Sequence, residues 1–532
     1  MSRRAITFVV LIALVGIQGR ALAKETCESL AALKLPNTTI TLAQTVAAGA
    51  LARPPGPVPP GVSPPDFKSL PPFCRIAAIV KPTSDSDIRV EVWMPVEGWS
   101  GRLHGAGNGG FAGLIHTVDM AQWLQHGDVA AGTDTGHTGR PTMPGESDSS
   151  WALGHPEKVK DFGYRAIHEM TQLAKATIRA FYGTDPRYSY FESCSNGGRE
   201  ALMEAQRYPK DYDGILAGAP ANYWTHVGVW ANALAPAWDH GGSIPATKLP
   251  AIAHAVNAAC DALDGVVDGV LNDPRTCHFD PSTLLCKNGD SDQCLTQPQV
   301  SVLKALYAGP HDAKGRALYP GYLPGGEEGP TGWGLWITGM FDTGRRYFSD
   351  MVYGKPDWTF KDNSLDEAVA AADAKTAKIL NAVDPNLTAF KAQGSKLILY
   401  HGWSDSALSP LNTINYYASV EQRMGAPETV AFTRLYMVPG MQHCFGGPGP
   451  NNFGQNYDRS EHANAGNNIE IALQDWVEKG MSPSSIIATK YVDDNPEKGV
   501  KVTRPLCPYP QAAMWTGKGS TDTAANFVCR AP

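Results

Sequence analysis

Charge is sparse in this chain. Only 18% of its 532 residues are Asp, Glu, Lys or Arg, and the formal net charge is −7. No long basic run occurs, so the footprint of a nucleic-acid-binding surface is missing. No cysteines show the C-x-x-C spacing, which argues against a zinc module. Beyond the N-terminus no apolar stretch is long enough to cross a bilayer. No internal repeat marks a solenoid or propeller.

What is present suggests a large, loop-rich globular protein. Hydrophobic residues make up 43%, ample for a core, and the length suits two or three domains. Thirteen Trp, 41 Pro and 54 Gly speak against a helical bundle. At the N-terminus Arg3 and Arg4 precede an apolar run, Ala5 to Ile17, and then Ala21-Leu22-Ala23. This is the pattern of a signal peptide (residues 1–23) cleaved after Ala23, with a twin-arginine signal as the variant reading. The run is short for a membrane anchor. The mature chain is therefore expected to be secreted or periplasmic, with no membrane attachment after cleavage.

Export gives the ten cysteines a meaning. All lie beyond the signal, and an even number in an oxidising compartment implies five disulfides. Sequence proximity suggests Cys260–Cys277, Cys286–Cys294 and Cys507–Cys529, although spacing alone leaves connectivity open.

Arg53 to Pro72 is rich in Pro and is expected to be an extended surface segment. Strands are expected at Arg75–Val80, Asp87–Val96, Arg187–Ser193, Lys396–Tyr400 and Phe432–Val438. Helices are expected over 161–182 and Gly198–Arg207. From about residue 224 to 390 the strand–helix alternation stops. The organisation implied is an α/β domain (24–223 and 391–532) interrupted by a long insertion (224–390).

Between a strand and a helix sits Ser193-Cys194-Ser195-Asn196-Gly197-Gly198. This resembles the G-x-S-x-G nucleophile elbow, with Ser193 standing where the pattern has its first Gly. The N–H of Asn196, at the helix N-terminus, is a natural oxyanion donor. Asp405 follows an apolar strand in His401-Gly-Trp-Ser-Asp405, and His443 follows the next one. The order Ser195, Asp405, His443 is that of an α/β-hydrolase triad. Alone, Asp405 reads as a turn cap and His443 as a loop histidine; together, behind two strands, they read as one site. If Ser195 meets His443, then Cys194 and Cys444 are adjacent and can be joined.

The Cys-Ser…Asp…His-Cys arrangement is similar to that of the tannase and feruloyl esterase family, which also includes the mono-hydroxyethyl terephthalate hydrolase. Gly107-Asn-Gly-Gly-Phe-Ala-Gly113, Thr133-Asp-Thr-Gly-His137, Cys194-Ser-Asn-Gly-Gly-Arg-Glu200, Tyr212-Asp-Gly-Ile-Leu-Ala-Gly-Ala-Pro220 and His401–Asp405 extend the likeness over nearly the whole mature chain. The resemblance implies an α/β-hydrolase core with a large inserted lid, and hydrolysis of esters of aromatic acids. It implies Gly110 as the second oxyanion donor. It implies a structural Ca2+ in the lid, held by the side chains of Asp261, Asp264 and Asp268 and the carbonyls of Val266 and Val270. Three carboxylates and flexible glycines suit that hard cation, with a solvated acidic turn as the lesser alternative. The resemblance also implies Cys27–Cys74 and supports the other pairs. The expected partner is a small aromatic ester from plant cell wall or tannin; a terephthalate monoester is the close alternative. A secreted amidase and a non-catalytic binding protein compete from other classes. Trp333, Trp336 and the run Arg345-Arg-Tyr-Phe348 are candidates to stack on a phenolic ring, or simply to pack the lid.

Overall fold

The computed structural model describes residues 26–53, 65–139, 148–339, 341–455 and 462–531. The signal segment and most of the Pro-rich stretch lie outside these described residues.

One nine-stranded sheet organises the chain, in the order β1-β2-β3-β5-β4-β6-β7-β8-β9. Strands β1 (Thr38–Val46), β2 (Phe73–Val80) and β3 (Ile88–Pro95) form an antiparallel meander. Strand β3 runs antiparallel to β5 (Val129–Thr133). From β5 onward all pairings are parallel: β4 (Arg102–Ala106), β6 (Tyr188–Cys194), β7 (Gly214–Gly218), β8 (Lys396–Gly402) and β9 (Thr433–Val438). The parallel half needs crossovers, and helices supply them. Helix Ala166–Tyr182 buries Ala166, Ile167, Met170, Leu173, Ala174, Ile178 and Phe181, an i, i+3, i+4 stripe. It stops at Gly183, whose φ of 80° few other residues tolerate.

Strand β7 pairs directly with β8, although about 180 residues separate them in sequence. Among its described residues the intervening chain adds no strand to the sheet and builds its own helical body. One apolar cluster lies within it, around Trp230, Leu249, Ile252, Leu303 and Trp333. A second cluster is shared with the sheet domain, joining Phe111, Phe162 and Trp224 to Tyr347, Phe348 and Trp358. The insertion is thereby packed onto the loops at the carboxyl ends of the strands.

Five disulfides join Cys27–Cys74, Cys194–Cys444, Cys260–Cys277, Cys286–Cys294 and Cys507–Cys529. One expectation is corrected. The described end of the Pro-rich stretch is not purely superficial. Phe67 and Leu70 turn inward and pack against Phe73, Trp93 and Trp123. Two large apolar side chains outweigh the local Pro composition there.

Candidate active site

Ser195 stands between the end of β6 and the start of helix Asn196–Arg207, with φ 66° and ψ −123°. Non-glycine residues avoid this region, and the surrounding backbone must hold it. The Ser195 N–H donates to Gly218 O (3.0 Å), while its carbonyl accepts from Arg199 and Ala221 N–H (3.1 Å each). The departure at Ser193 is accommodated next door. A Cβ at Gly107 or Gly197 would collide with the Ser193 side chain, so the demand for small residues has moved to those two positions.

Three side chains from separate strand ends meet. His443 Nε2 lies 2.9 Å from Ser195 Oγ, and His443 Nδ1 lies 2.7 Å from Asp405 Oδ2. Asp405 and His443 are buried. Burial alone would push the Asp405 carboxyl up. The charges and hydrogen bonds of His443 and His401 overcome this and hold it well below the usual range. With Asp405 ionised, Nδ1 carries the imidazole proton and Nε2 is left to accept from the serine hydroxyl. His401 went unrecognised in the sequence as a partner of this acid. Its Nε2 is 3.0 Å from Asp405 Oδ2, and Nδ1 meets Thr413 Oγ1 at 2.7 Å. Its place four residues before Asp405 in the same motif was the available signal. Asp405 Oδ1 accepts from the Ala407 and Leu408 N–H groups (2.8 and 2.9 Å). The Cys194–Cys444 bridge directly flanks the Ser–His contact, with Cα atoms 6.0 Å apart.

The loop Gly107–Gly110 packs beside this elbow. Asn108 Nδ2 donates to Leu114 O (2.7 Å) and Thr133 O (3.0 Å), and His137 Nε2 contacts Phe111 O at 2.7 Å. The Thr133–His137 motif thus serves as a scaffold for the glycine loop. Gly110 itself has a φ of 48°. Among the described residues the Asn196 and Gly110 N–H groups make no hydrogen bond, which leaves both available to an incoming oxygen.

In the insertion, Asp261, Asp264 and Asp268 lie on one tight loop closed by Gly265 and Gly269, both at positive φ. Each carboxylate accepts from loop N–H groups: Asp261 from Gly269, Asp264 from Val266 and Asn272, Asp268 from Val270. Burial pushes the Asp264 and Asp268 carboxyls up, and the neighbouring carboxylates add to the effect. Arg504 Nη2 reaches Asp268 at 2.7 Å. The three carboxylates are not drawn into a single tight shell; the close His/Cys/Asp/Glu groupings among the described residues lie elsewhere. The donor set is nonetheless all hard oxygen, and the mutual repulsion is of the kind a divalent cation relieves. The adjoining Cys260–Cys277 bridge braces the loop.

The aromatic candidates separate. Trp336 and His443 meet in a T-shaped contact, with centroids 4.7 Å apart, and Trp336 is only partly buried. Trp333 is 1% exposed and packs between Tyr307 and Tyr322, so it belongs to the insertion's core and not to a substrate surface. Tyr347 and Phe348 are likewise buried core residues. Aromatic composition alone could not separate rings that pack from rings that face a cleft.

A strained serine, a histidine and a buried aspartate, in that spatial order at the ends of parallel strands, define an α/β hydrolase. The comparisons narrow the class. This chain belongs to the family described as tannase and feruloyl esterase, which matches residues 74–530. It is 40% identical to an uncharacterised esterase of Xanthomonas campestris pv. campestris, over 96% of this chain and 92% of that one. It is 33% identical to a probable feruloyl esterase B of Aspergillus clavatus, over 86% of each. The crystal structure of feruloyl esterase B from Aspergillus oryzae superposes with a TM-score of 0.84 at 28% identity, covering 95% of this chain and 99% of that one. The tannin acyl hydrolase of Aspergillus niger gives 0.72 at 25% identity, over 93% and 92%. The protein is a carboxylic ester hydrolase of the feruloyl esterase and tannase type.

Proposed function

We propose that this is a secreted serine esterase that cleaves esters of phenolic acids through an acyl-enzyme on Ser195. The observation that carries this reading is the relay Ser195 Oγ, His443, Asp405 at 2.9 and 2.7 Å. His443 takes the Ser195 proton as the oxygen attacks the ester carbonyl, and returns it to the leaving alcohol. Asp405 orients the imidazole and stabilises its charged form. The N–H groups of Asn196 and Gly110 receive the developing oxyanion. Water then repeats the sequence on the acyl-serine. Trp336 borders the base and offers a flat surface to an aromatic acyl group. Export after cleavage at Ala23 agrees with five disulfides, and no helix among the described residues is long and apolar enough to cross a membrane. Asp261, Asp264 and Asp268, with the Val266 and Val270 carbonyls, would hold a structural Ca2+ that takes no part in the chemistry.

The test is a panel of feruloyl, galloyl and terephthaloyl monoesters, with p-nitrophenyl acetate as a generic ester, run on wild type and Ser195→Ala. Turnover of feruloyl or galloyl esters, abolished in Ser195→Ala, is the expected result. Preference for the terephthaloyl monoester would move the assignment to that substrate. Ester turnover that survives in Ser195→Ala would overturn the mechanism.

A further inference from the structure

The motif that begins at Cys194 ends in Glu200, one turn into the helix behind the nucleophile, and the mechanism above gives it no role. Glu200 is 1% exposed. Its Oε2 accepts from the backbone N–H of Asn108 at 2.9 Å, and its Oε1 accepts from Asn196 Nδ2 at 3.0 Å. Asn108 belongs to the glycine loop that ends in Gly110. Asn196 carries the other oxyanion donor on its backbone. The two halves of the oxyanion hole come from loops about 90 residues apart in sequence, and one carboxylate ties both.

We propose that Glu200 is the positioning residue of the oxyanion hole, setting the spacing between the Gly110 and Asn196 donors through its two hydrogen bonds. This rests on the esterase reading given above.

Three features favour the tie over simple core packing. Glycine at 107 lets the loop approach, because a Cβ there would stand 3.0 Å from Glu200 Oε2. The Asn196 amide cannot turn over, because its Oδ1 accepts from Arg199 Nε at 2.8 Å. Arg199 is in turn fixed on the Gly163 and Phe162 carbonyls (2.6 and 2.9 Å). Both partners of Glu200 are therefore obligate donors, and an ionised carboxylate accepts from both at full strength. A glutamine must turn its NH2 toward one of them, and a protonated Glu200 offers one of them only a weak hydroxyl acceptor.

Burial pushes the Glu200 carboxyl up to about 7, against the opposing pull of Arg199, the Asn108 N–H, His116 and the Asn196 amide. Glu204 and Tyr212 also face it electrostatically; both are buried and are themselves pushed well above their ordinary values. Protonation of Glu200 on the acid side should release one half of the hole. The acid limb of the kcat profile should then carry an ionisation from Glu200.

The experiment compares wild type, Glu200→Gln, Asn196→Ala and the double variant on p-nitrophenyl acetate and methyl ferulate. Active sites are counted by fluorophosphonate titration. For Glu200→Gln the expected result is a 10- to 100-fold lower kcat, KM within about threefold, and an acid limb that loses the Glu200 ionisation and becomes less steep. The double variant should be no slower than Glu200→Gln, because both changes cut the same tie. Unchanged kcat, or lower kcat with the slope of the acid limb intact, would overturn the proposal. If Glu200→Gln fails to fold, Asn196→Ala decides, since it keeps the backbone donor and removes the tie, together with the side-chain acceptor of Arg199 Nε. A kcat within twofold of wild type in that variant would overturn the proposal. Absence of methyl ferulate turnover by wild type would sink the substrate reading alone, because the Glu200 effect would still be read on p-nitrophenyl acetate.

Discussion

Removing the bridge beside the site, as Cys194→Ala with Cys444→Ala, separates two jobs that the geometry assigns to different bonds. The bridge closes a loop of 250 residues. On the chain-entropy account such a closure contributes about 5 kcal/mol, out of a total stability usually near 5–15. Two smaller bridges inside the loop, Cys260–Cys277 and Cys286–Cys294, shorten it by about a tenth, and through the logarithm this hardly moves the figure. The histidine loop has anchors of its own. Gln442 Nε2 donates to Glu328 O (2.6 Å) and Gly326 O (3.3 Å), and Ser404 N–H donates to Met441 O (3.0 Å). The base should therefore keep its approximate place without the disulfide. The expected outcome is a stability loss of several kcal/mol with a kcat reduced by only about tenfold. Urea unfolding followed by Trp fluorescence gives the first quantity, and initial rates per titrated active site give the second. A stability loss below about 1 kcal/mol would refute the loop-closure reasoning. A kcat loss beyond about a thousandfold would show that the disulfide, and not the Gln442 anchors, places the base.

Asp405→Asn should lower kcat by about 10⁴, the scale seen when a triad acid is made neutral, with circular dichroism unchanged. Because the native Asp405 carboxyl sits below its unfolded value near 3.9, its contribution to stability is present above about pH 4 and is lost as the medium is acidified below that; Asp405→Asn should flatten this part of an acid-unfolding curve. Glu200 has the opposite sign: its raised native value means that stability is greatest below about 4.5 and falls as pH rises through about 7, on the order of 3 kcal/mol, and Glu200→Gln should flatten this part of the stability-versus-pH curve. Chelation should lower the melting temperature by on the order of 10 °C, restored by Ca2+ but not by Mg2+, and Asp264→Asn should show no chelation effect; equal melting with and without chelator in wild type would remove the calcium proposal. Trp336→Ala should raise KM for feruloyl esters by about 2- to 10-fold more than for p-nitrophenyl acetate, and equal changes would deny Trp336 an acyl-binding role.

Long, patterned elements were legible in the sequence. The apolar runs at 75–80 and 396–400 and the helix stripe over 166–181 are visible in their own residues. Four strands of the nine-stranded sheet were not, and their composition explains why. β4, β5 and β7 are five residues each, built from Gly, Ala and a few larger residues, and β5 and β7 are buried throughout, so no alternation marks them. β1 is an edge strand of mixed Thr and apolar residues with a register shift near Ile40. At the site, Ser195, Asp405 and His443 could be read because each directly follows a recognisable strand. His401, Arg199 and Glu200 were missed: Asp405 and Asn196 stand within four residues of them, but Thr413, Gly163, Phe162 and Asn108, which complete their contacts, are brought in by the fold. Trp333 and Trp336 show the same limit: three residues apart in one motif, one fills the insertion's core and the other borders the base.

The account stands most directly on an acyl group at Ser195. Wild type is mixed with methyl ferulate, quenched in acid within milliseconds, digested and mapped by mass spectrometry. Feruloyl mass on the peptide that contains Ser195, rising and decaying with turnover and missing in Ser195→Ala, is the predicted result. Steady release of ferulate with no acyl mass on that peptide at any time would contradict it.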